Sequence, residues 1–170
     1  MKKQLFATLT LLAVLAALTP MAAAQGGQAI TQIRIRVVTS ARPSAGTSDF
    51  VYLGLGGREF RLQDQDLTYD DFATGSDHTY IFGMGSNVIP ADLNNPRDPQ
   101  LTRDDLDTFP VYIRKSEDTQ SLSASNWDVE EITVTVVAGT QQIVYSALEG
   151  LAHLWLTNDA GLILYLKRRR

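Results

Sequence analysis

The groups in this chain that could do chemistry are carboxylates and two distant histidines. Nineteen Asp and Glu residues stand against 15 Lys and Arg, with no Cys. Thiolate metal sites and disulfides are therefore excluded. His78 and His153 lie 75 positions apart, whereas a catalytic zinc needs three protein ligands, commonly histidines. No Gly-x-Ser-x-Gly elbow is present. Gly54-x-Gly56-Gly57 is not a dinucleotide fingerprint, because a strand pattern follows it where a helix is required. The pairs Asp70-Asp71 and Asp104-Asp105 would point to opposite faces if extended, which is a solvated arrangement rather than an acid–base pair. The chain reads as non-catalytic. What remains is binding, and the densest binding stretch is Gln63 to Asp71, where Asp64, Asp66, Asp70 and Asp71 surround Leu67 and Tyr69.

The N-terminal stretch reads as a cleaved secretory signal. Lys2 and Lys3 form a positive start, Leu5 to Leu18 is an apolar run too short for a membrane span, and Ala22-Ala23-Ala24 fits a cleavage site. Export to the periplasm, cell envelope or exterior follows as an expectation. Removing residues 1–24 leaves 146 residues, the size of one domain. That remainder carries 13 basic against 19 acidic residues, a net charge of −6. Such a domain is a poor general nucleic-acid binder, since phosphate neutralisation needs clustered Lys and Arg. The one basic cluster, Lys167-Arg168-Arg169-Arg170, reads as a solvated tail; weak attraction to anionic lipid is the minority reading.

The elements that must position the acidic stretch are strands. Ile33, Ile35 and Val37 alternate with Arg34 and Arg36; Val51, Leu53 and Leu55 alternate with Phe50, Tyr52 and Gly54. A period of two puts one side-chain set on a core. Gly56-Gly57 supplies the positive φ of a tight hairpin leading to Arg58–Leu62. Further strands are predicted over 76–82, 109–115, 131–137, 141–145 and 162–166. Ser146-Ala147-Leu148-Glu149 reads as a capping box opening a helix, with Leu148, Leu151, Ala152, Trp155 and Leu156 at helical spacing and His153 off the apolar stripe. Gly83 to Thr108 breaks the rhythm with Pro90, Pro96 and Pro99 and five Asp. A loop that long is commonly functional or mobile, with a helical turn predicted over Leu101–Leu106 and Thr102 as its cap. The expected fold is mainly β, an antiparallel β-sandwich of about eight strands with one C-terminal helix.

Four stretches occur in a telling order. They are Ala45-Gly46-Thr47 before a strand, Asp71-Phe72-Ala73-Thr74-Gly75 before a strand, Ile113-Arg114-Lys115, and Asn126-Trp127 before the last alternating strand. The series resembles the PLAT domain family, the lipoxygenase-type sandwich, and most closely the C-terminal membrane-docking domain of secreted bacterial phospholipases C. The resemblance covers about residues 30–145, with an insertion over about 85–108. It implies a non-catalytic module that docks onto membranes or, in some members, onto a protein. It also implies loops at one sandwich end that bind calcium in calcium-using members. Here Gly46 and Thr47 would offer backbone carbonyls, Asp71 matches a family carboxylate, and Asp66 is a candidate second. Ser48, Ser125 and Ser44 stand where acids would help, and Asp49 is displaced by one position. The expected cofactor is therefore none, or weakly bound calcium.

The same loops carry apolar residues. Leu67, Tyr69, Leu122 and Trp127 are the candidate lipid-docking set, although Trp127 leads directly into a strand and reads more readily as core. Three function classes stay open. The first is a lipid- or membrane-associating module; the second is an envelope module that docks a partner protein through the acidic insertion or the Trp155 helix; the third, least favoured, is a hydrolase without a recognisable motif.

Overall fold

The computed structural model describes residues 27–116, 126–148 and 152–170. The elements, all strands except one turn of helix, are β1 (Ile30–Thr39), β2 (Phe50–Leu55), β3 (Arg58–Arg61), β4 (Asp77–Gly83), α1 (Asp105–Thr108), β5 (Tyr112–Ser116), β6 (Trp127–Ala138), β7 (Gln141–Ala147), β8 (Leu154–Leu156), β9 (Ile163–Tyr165) and β10 (Lys167–Arg168). They form two antiparallel sheets. The larger runs β10-β7-β6-β1-β4, with β8 also paired to β6; the smaller runs β3-β2-β5-β9.

Register explains the core. Ile35 lies opposite Tyr80 on one side and Val134 on the other, and Val134 opposite Tyr145. The next row is Phe82, Ile33, Val136 and Ile143. These rows meet Val51, Leu53, Leu55, Phe60 and Ile113 of the small sheet in one buried cluster. Arg34, between two buried isoleucines, is exposed. Alternation places one face of each strand in the core. Gly56 and Gly57, at φ 59° and 75°, make the β2–β3 turn as the sequence requires.

The structure corrects two expectations. No helix begins at Ser146. Ser146 and Ala147 remain in the β7 ladder opposite Thr133 and Ile132, and Leu148 turns at φ 58°. Ser146 Oγ accepts a hydrogen bond from Arg169 Nε at 2.9 Å instead of capping a helix. Leu154–Leu156 is a strand that pairs with Trp127–Val129. Those first β6 residues lie beyond the reach of β7, and an unpaired edge would leave buried backbone groups without partners. Long-range pairing overrides a local helix signal there. Leu151 lies outside the described residues.

The second correction concerns the helical turn in the proline-rich stretch, a loop that packs onto the sandwich. Val88, Leu101, Leu106 and Asn94 are buried. Asn94 Oδ1 accepts from the Arg61 backbone N–H at 2.8 Å, capping the open edge of β3, and Arg58 donates to the carbonyls of Asn95 and Pro99. The Ile30 N–H donates to Leu101 O at 2.8 Å, closing the sandwich end opposite the Gly46 loop. The predicted helical turn is one turn later, at α1. Its N-cap is Asp104, which makes no side-chain capping bond, and not Thr102, whose N–H and Oγ1 both donate to the Asp105 carboxylate at 2.7 and 2.9 Å.

Candidate docking end

The connections β1–β2 and β3–β4 lie at one end of the sandwich, joined to the start of β6. Ser40 N–H donates to Asp128 O, Asp128 N–H to Ala45 O, and Gly75 N–H to Ser40 O, each at 2.9 Å. Thr47 N–H donates to Phe72 O at 3.1 Å and Gly46 N–H to Thr74 Oγ1 at 3.1 Å. A Cβ on Gly46 would stand 2.8 Å from Phe72 O and Thr74 N, so only glycine lets these two loops touch. The Ala45-Gly46-Thr47 sequence is thus a loop-to-loop contact: Ala45 and Thr47 are buried beside the glycine.

The acidic loop hangs on a chain of rings. Trp127 is fully buried, its indole N–H donating to Thr39 Oγ1 at 3.0 Å. Ring centroids then step from Trp127 to Phe72 (5.2 Å), Tyr80 (5.9 Å), His78 (4.7 Å) and Tyr69 (4.4 Å). His78 Nε2 lies 2.8 Å from Asp64 Oδ2. Asp64 Oδ1 accepts the Asp66 N–H at 2.7 Å, and Asp71 Oδ1 accepts the Asp64 N–H at 3.0 Å. The loop is therefore fixed at both ends, with Tyr69 37% exposed and Leu67, at its tip, 72% exposed. Trp127 stiffens this end from inside and offers no surface to a lipid.

Of the calcium candidates, the structure brings some together and not others. Thr47, Asp70 and Asp71 line one groove of about 190 Å³ with Tyr69. It adjoins a cleft of about 560 Å³ lined by Gly46, Thr47, Asp70 and Trp155. Burial raises the Asp71 carboxyl above the usual carboxylate range. Asp66 is exposed and turned to its own loop, accepting the Thr68 N–H at 3.0 Å and Thr68 Oγ1 at 2.7 Å; these bonds hold its carboxyl below the usual range. Among the described residues no three His, Cys, Asp or Glu side chains form a group able to hold a metal. Leu122 and Ser125 lie outside the described residues.

Two arrangements went unread in the sequence. Asp49, next to the expected family carboxylate position, is buried and paired with Lys115 at 2.5 Å, so it belongs to the core. Asp128 is buried with Oδ1 3.0 Å from His153 Nδ1, while its Oδ2 has no partner. A charged residue at an inward strand position was the available signal for Lys115.

Neither a family model nor a curated protein sequence matches the chain. Solved structures do. Alpha toxin from Clostridium absonum matches at 20% identity and TM-score 0.51, over 88% of this chain and 34% of the toxin. Clostridium perfringens alpha-toxin matches at 22% identity and TM-score 0.44, over 77% and 32%. Coral 8R-lipoxygenase, described with calcium activation through a C2-like domain, matches at 20% identity and TM-score 0.46, over 81% and 17%. The chain thus spans about a third or less of the proteins it resembles. At this identity the likeness speaks to fold, and the fold is that of a PLAT-like antiparallel β-sandwich.

Proposed function

We propose that this chain is an exported, non-catalytic module that associates with lipid membrane surfaces through the loop Asp64–Asp71. The observation that carries the reading is Leu67, 72% exposed at the tip of a loop whose base is held by the Asp64, His78 and Asp71 contacts. A pinned loop presents an apolar side chain at little further ordering cost. Tyr69 beside it has the apolar body and polar tip suited to a lipid–water boundary. Each such side chain contributes about 1.5–3 kcal/mol on leaving water. Leu122, between β5 and β6 in sequence, belongs to the same docking set in this reading. Asp64, Asp66, Asp70 and Asp71 repel anionic lipid, so zwitterionic or calcium-bridged surfaces are preferred. Gly46, Thr47 and Asp71 would hold that calcium weakly, with Asp66 reaching it only after leaving Thr68.

A second reading, an envelope module docking a partner protein, is favoured by Leu93, 72% exposed on the packed insertion. Flotation with phosphatidylcholine vesicles, with and without calcium, separates the two. Flotation supports the membrane module; no flotation in either condition, with capture of an envelope protein by the insertion, supports the partner module.

A further inference from the structure

The outer face of the small sheet carries aromatic rings in register. Glu59, Gly54, Tyr112 and Tyr165 form one row across β3, β2, β5 and β9, and Arg61, Tyr52, Arg114 and Ile163 form the next. The intervening Leu53, Phe60 and Ile113 are buried, so both rows lie on the side away from the core. Tyr112 lies flat on the sheet. A Cβ on Gly54 would stand 2.1, 2.2 and 2.5 Å from Cζ, Cε1 and Cε2 of its ring, so a ring face, not an edge, covers the glycine. Tyr112 is half-buried, with its opposite face toward solvent. Tyr165, 62% exposed, stands T-shaped to it with the ring centroids 6.0 Å apart. The two rings make a floor and a wall. A cleft of about 230 Å³ beside Tyr112 continues this surface to Phe109, itself 45% exposed.

A polar pair borders the floor. Arg114 Nε and Nη2 donate to the two Glu59 oxygens at 2.7 and 2.6 Å, and the Tyr112 hydroxyl donates to Glu59 Oε1 at 3.1 Å. Arg114 also lies over the Tyr52 ring, 4.6 Å from its centroid, while Arg61, two strands away, lies over Phe50. The Arg114 and Glu59 side chains are held in place yet still reach solvent, 28% and 34% exposed. Among the described residues, Arg114 Nη1 has no hydrogen-bond partner, and Glu59 Oε2 accepts only from Arg114. The rim of the floor therefore offers one open donor and one open acceptor, and the two charges cancel. An anion meets Glu59 there and a cation meets Arg114; a hydroxyl group, which both donates and accepts, suits the pair.

We propose that this face is a platform for a neutral glycan, with one pyranose ring stacked on Tyr112 against Tyr165 and its hydroxyls on Glu59 Oε2 and Arg114 Nη1. The face of an aromatic ring is its negative side, and it attracts the C–H bonds that a sugar with equatorial hydroxyls presents along its ring axis. Hydrogen bonds to charged groups then fix the orientation of the sugar. Floor and rim are set before the ligand arrives, which keeps the ordering cost low. The site uses β2, β3, β5 and β9 and shares no residue with the Asp64–Asp71 loop, so it stands or falls independently of the docking reading.

The test is a titration of the whole protein with cellohexaose, a neutral glycan whose hydroxyls are all equatorial, followed by amide NMR. Saturable shifts at Gly54, Tyr112, Arg114 and Tyr165 are expected. Tyr165→Ala, at an exposed position, should weaken the affinity about ten-fold. Tyr112→Phe keeps the stacking ring and should weaken it less. Leu67→Ala should leave it unchanged, which separates this site from vesicle docking. Shifts that never saturate, or a Tyr165→Ala protein that titrates like wild type, would overturn the platform. So would shifts at the same amides on raising the protein concentration without sugar, which would make this face a contact between copies of the chain.

Discussion

Lys115 Nζ lies 2.5 Å from Asp49 Oδ2, and neither side chain reaches solvent. The pair ties the β5 position that follows Ile113 inward to the loop leading into β2, across 66 positions of sequence. Removing one partner takes away the charge that its fully buried counterpart is paired with. Asp49→Ala or Lys115→Ala should each cost about 3–5 kcal/mol in urea unfolding, whereas Asp49→Leu/Lys115→Met should cost much less than their sum. Additive losses would mean that the two charges are solvated independently.

Gly46 carries the contact between the first two loops. Gly46→Ala places a methyl group 2.8 Å from backbone atoms of Phe72 and Thr74, which cannot swing aside as a side-chain end could. A loss of about 1–3 kcal/mol is expected, the range for overpacking. A Gly46→Ala protein as stable as wild type would show that the loops are not held together there.

Asp71 gives this end a pH dependence with a definite sign. Burial raises its pKa, so its neutral form suits the fold better than its ionised form. The resulting stability is fully present below the unfolded aspartate value of about 3.9. It is lost as pH rises through the elevated folded value. Asp71→Asn keeps an acceptor for the Asp64 N–H and removes the charge. Its stability relative to wild type should therefore grow from low to neutral pH, read from urea midpoints across a pH series. A constant difference would mean that Asp71 ionises as freely folded as unfolded.

The strands were legible because alternation is local. Ile33-Arg34-Ile35-Arg36-Val37 declares its inner face within five residues, and the structure buries the apolar set. Leu154–Leu156 was not legible. Its apolar spacing fits a helix, and its partner is the start of β6, 25 to 29 positions earlier. Proline-rich 85–108 looked like loose loop because its burial depends on Arg61, Arg58 and Ile30, all far back in sequence. For the candidate site, only the family resemblance, and no local pattern, put Gly46 and Thr47 beside the Asp71 loop, where the Thr47 N–H donates to Phe72 O. It did not reveal that Asp66 turns to Thr68, since that bond is one of several an exposed aspartate can make.

Calcium should bind weakly or not at all. Asp71 is half-buried in the groove with Thr47, Asp66 is committed elsewhere, and no three His, Cys, Asp or Glu side chains group to hold a metal among the described residues. Calorimetry should give a Kd of about 10⁻⁴ M or weaker, the range of extracellular modules. Submicromolar binding abolished by Asp71→Ala would show a fuller ligand set than Gly46, Thr47, Asp66 and Asp71 provide.

The central claim is that the Leu67 tip meets the membrane. Its most direct test is vesicle flotation of the Leu67→Ala/Tyr69→Ala/Leu122→Ala protein against wild type on phosphatidylcholine, with folding checked by thermal unfolding. Loss of two or three apolar anchors at about 1.5–3 kcal/mol each should weaken binding at least ten-fold. A folded triple variant that floats as wild type does would contradict the account and move the docking surface away from this end of the sandwich.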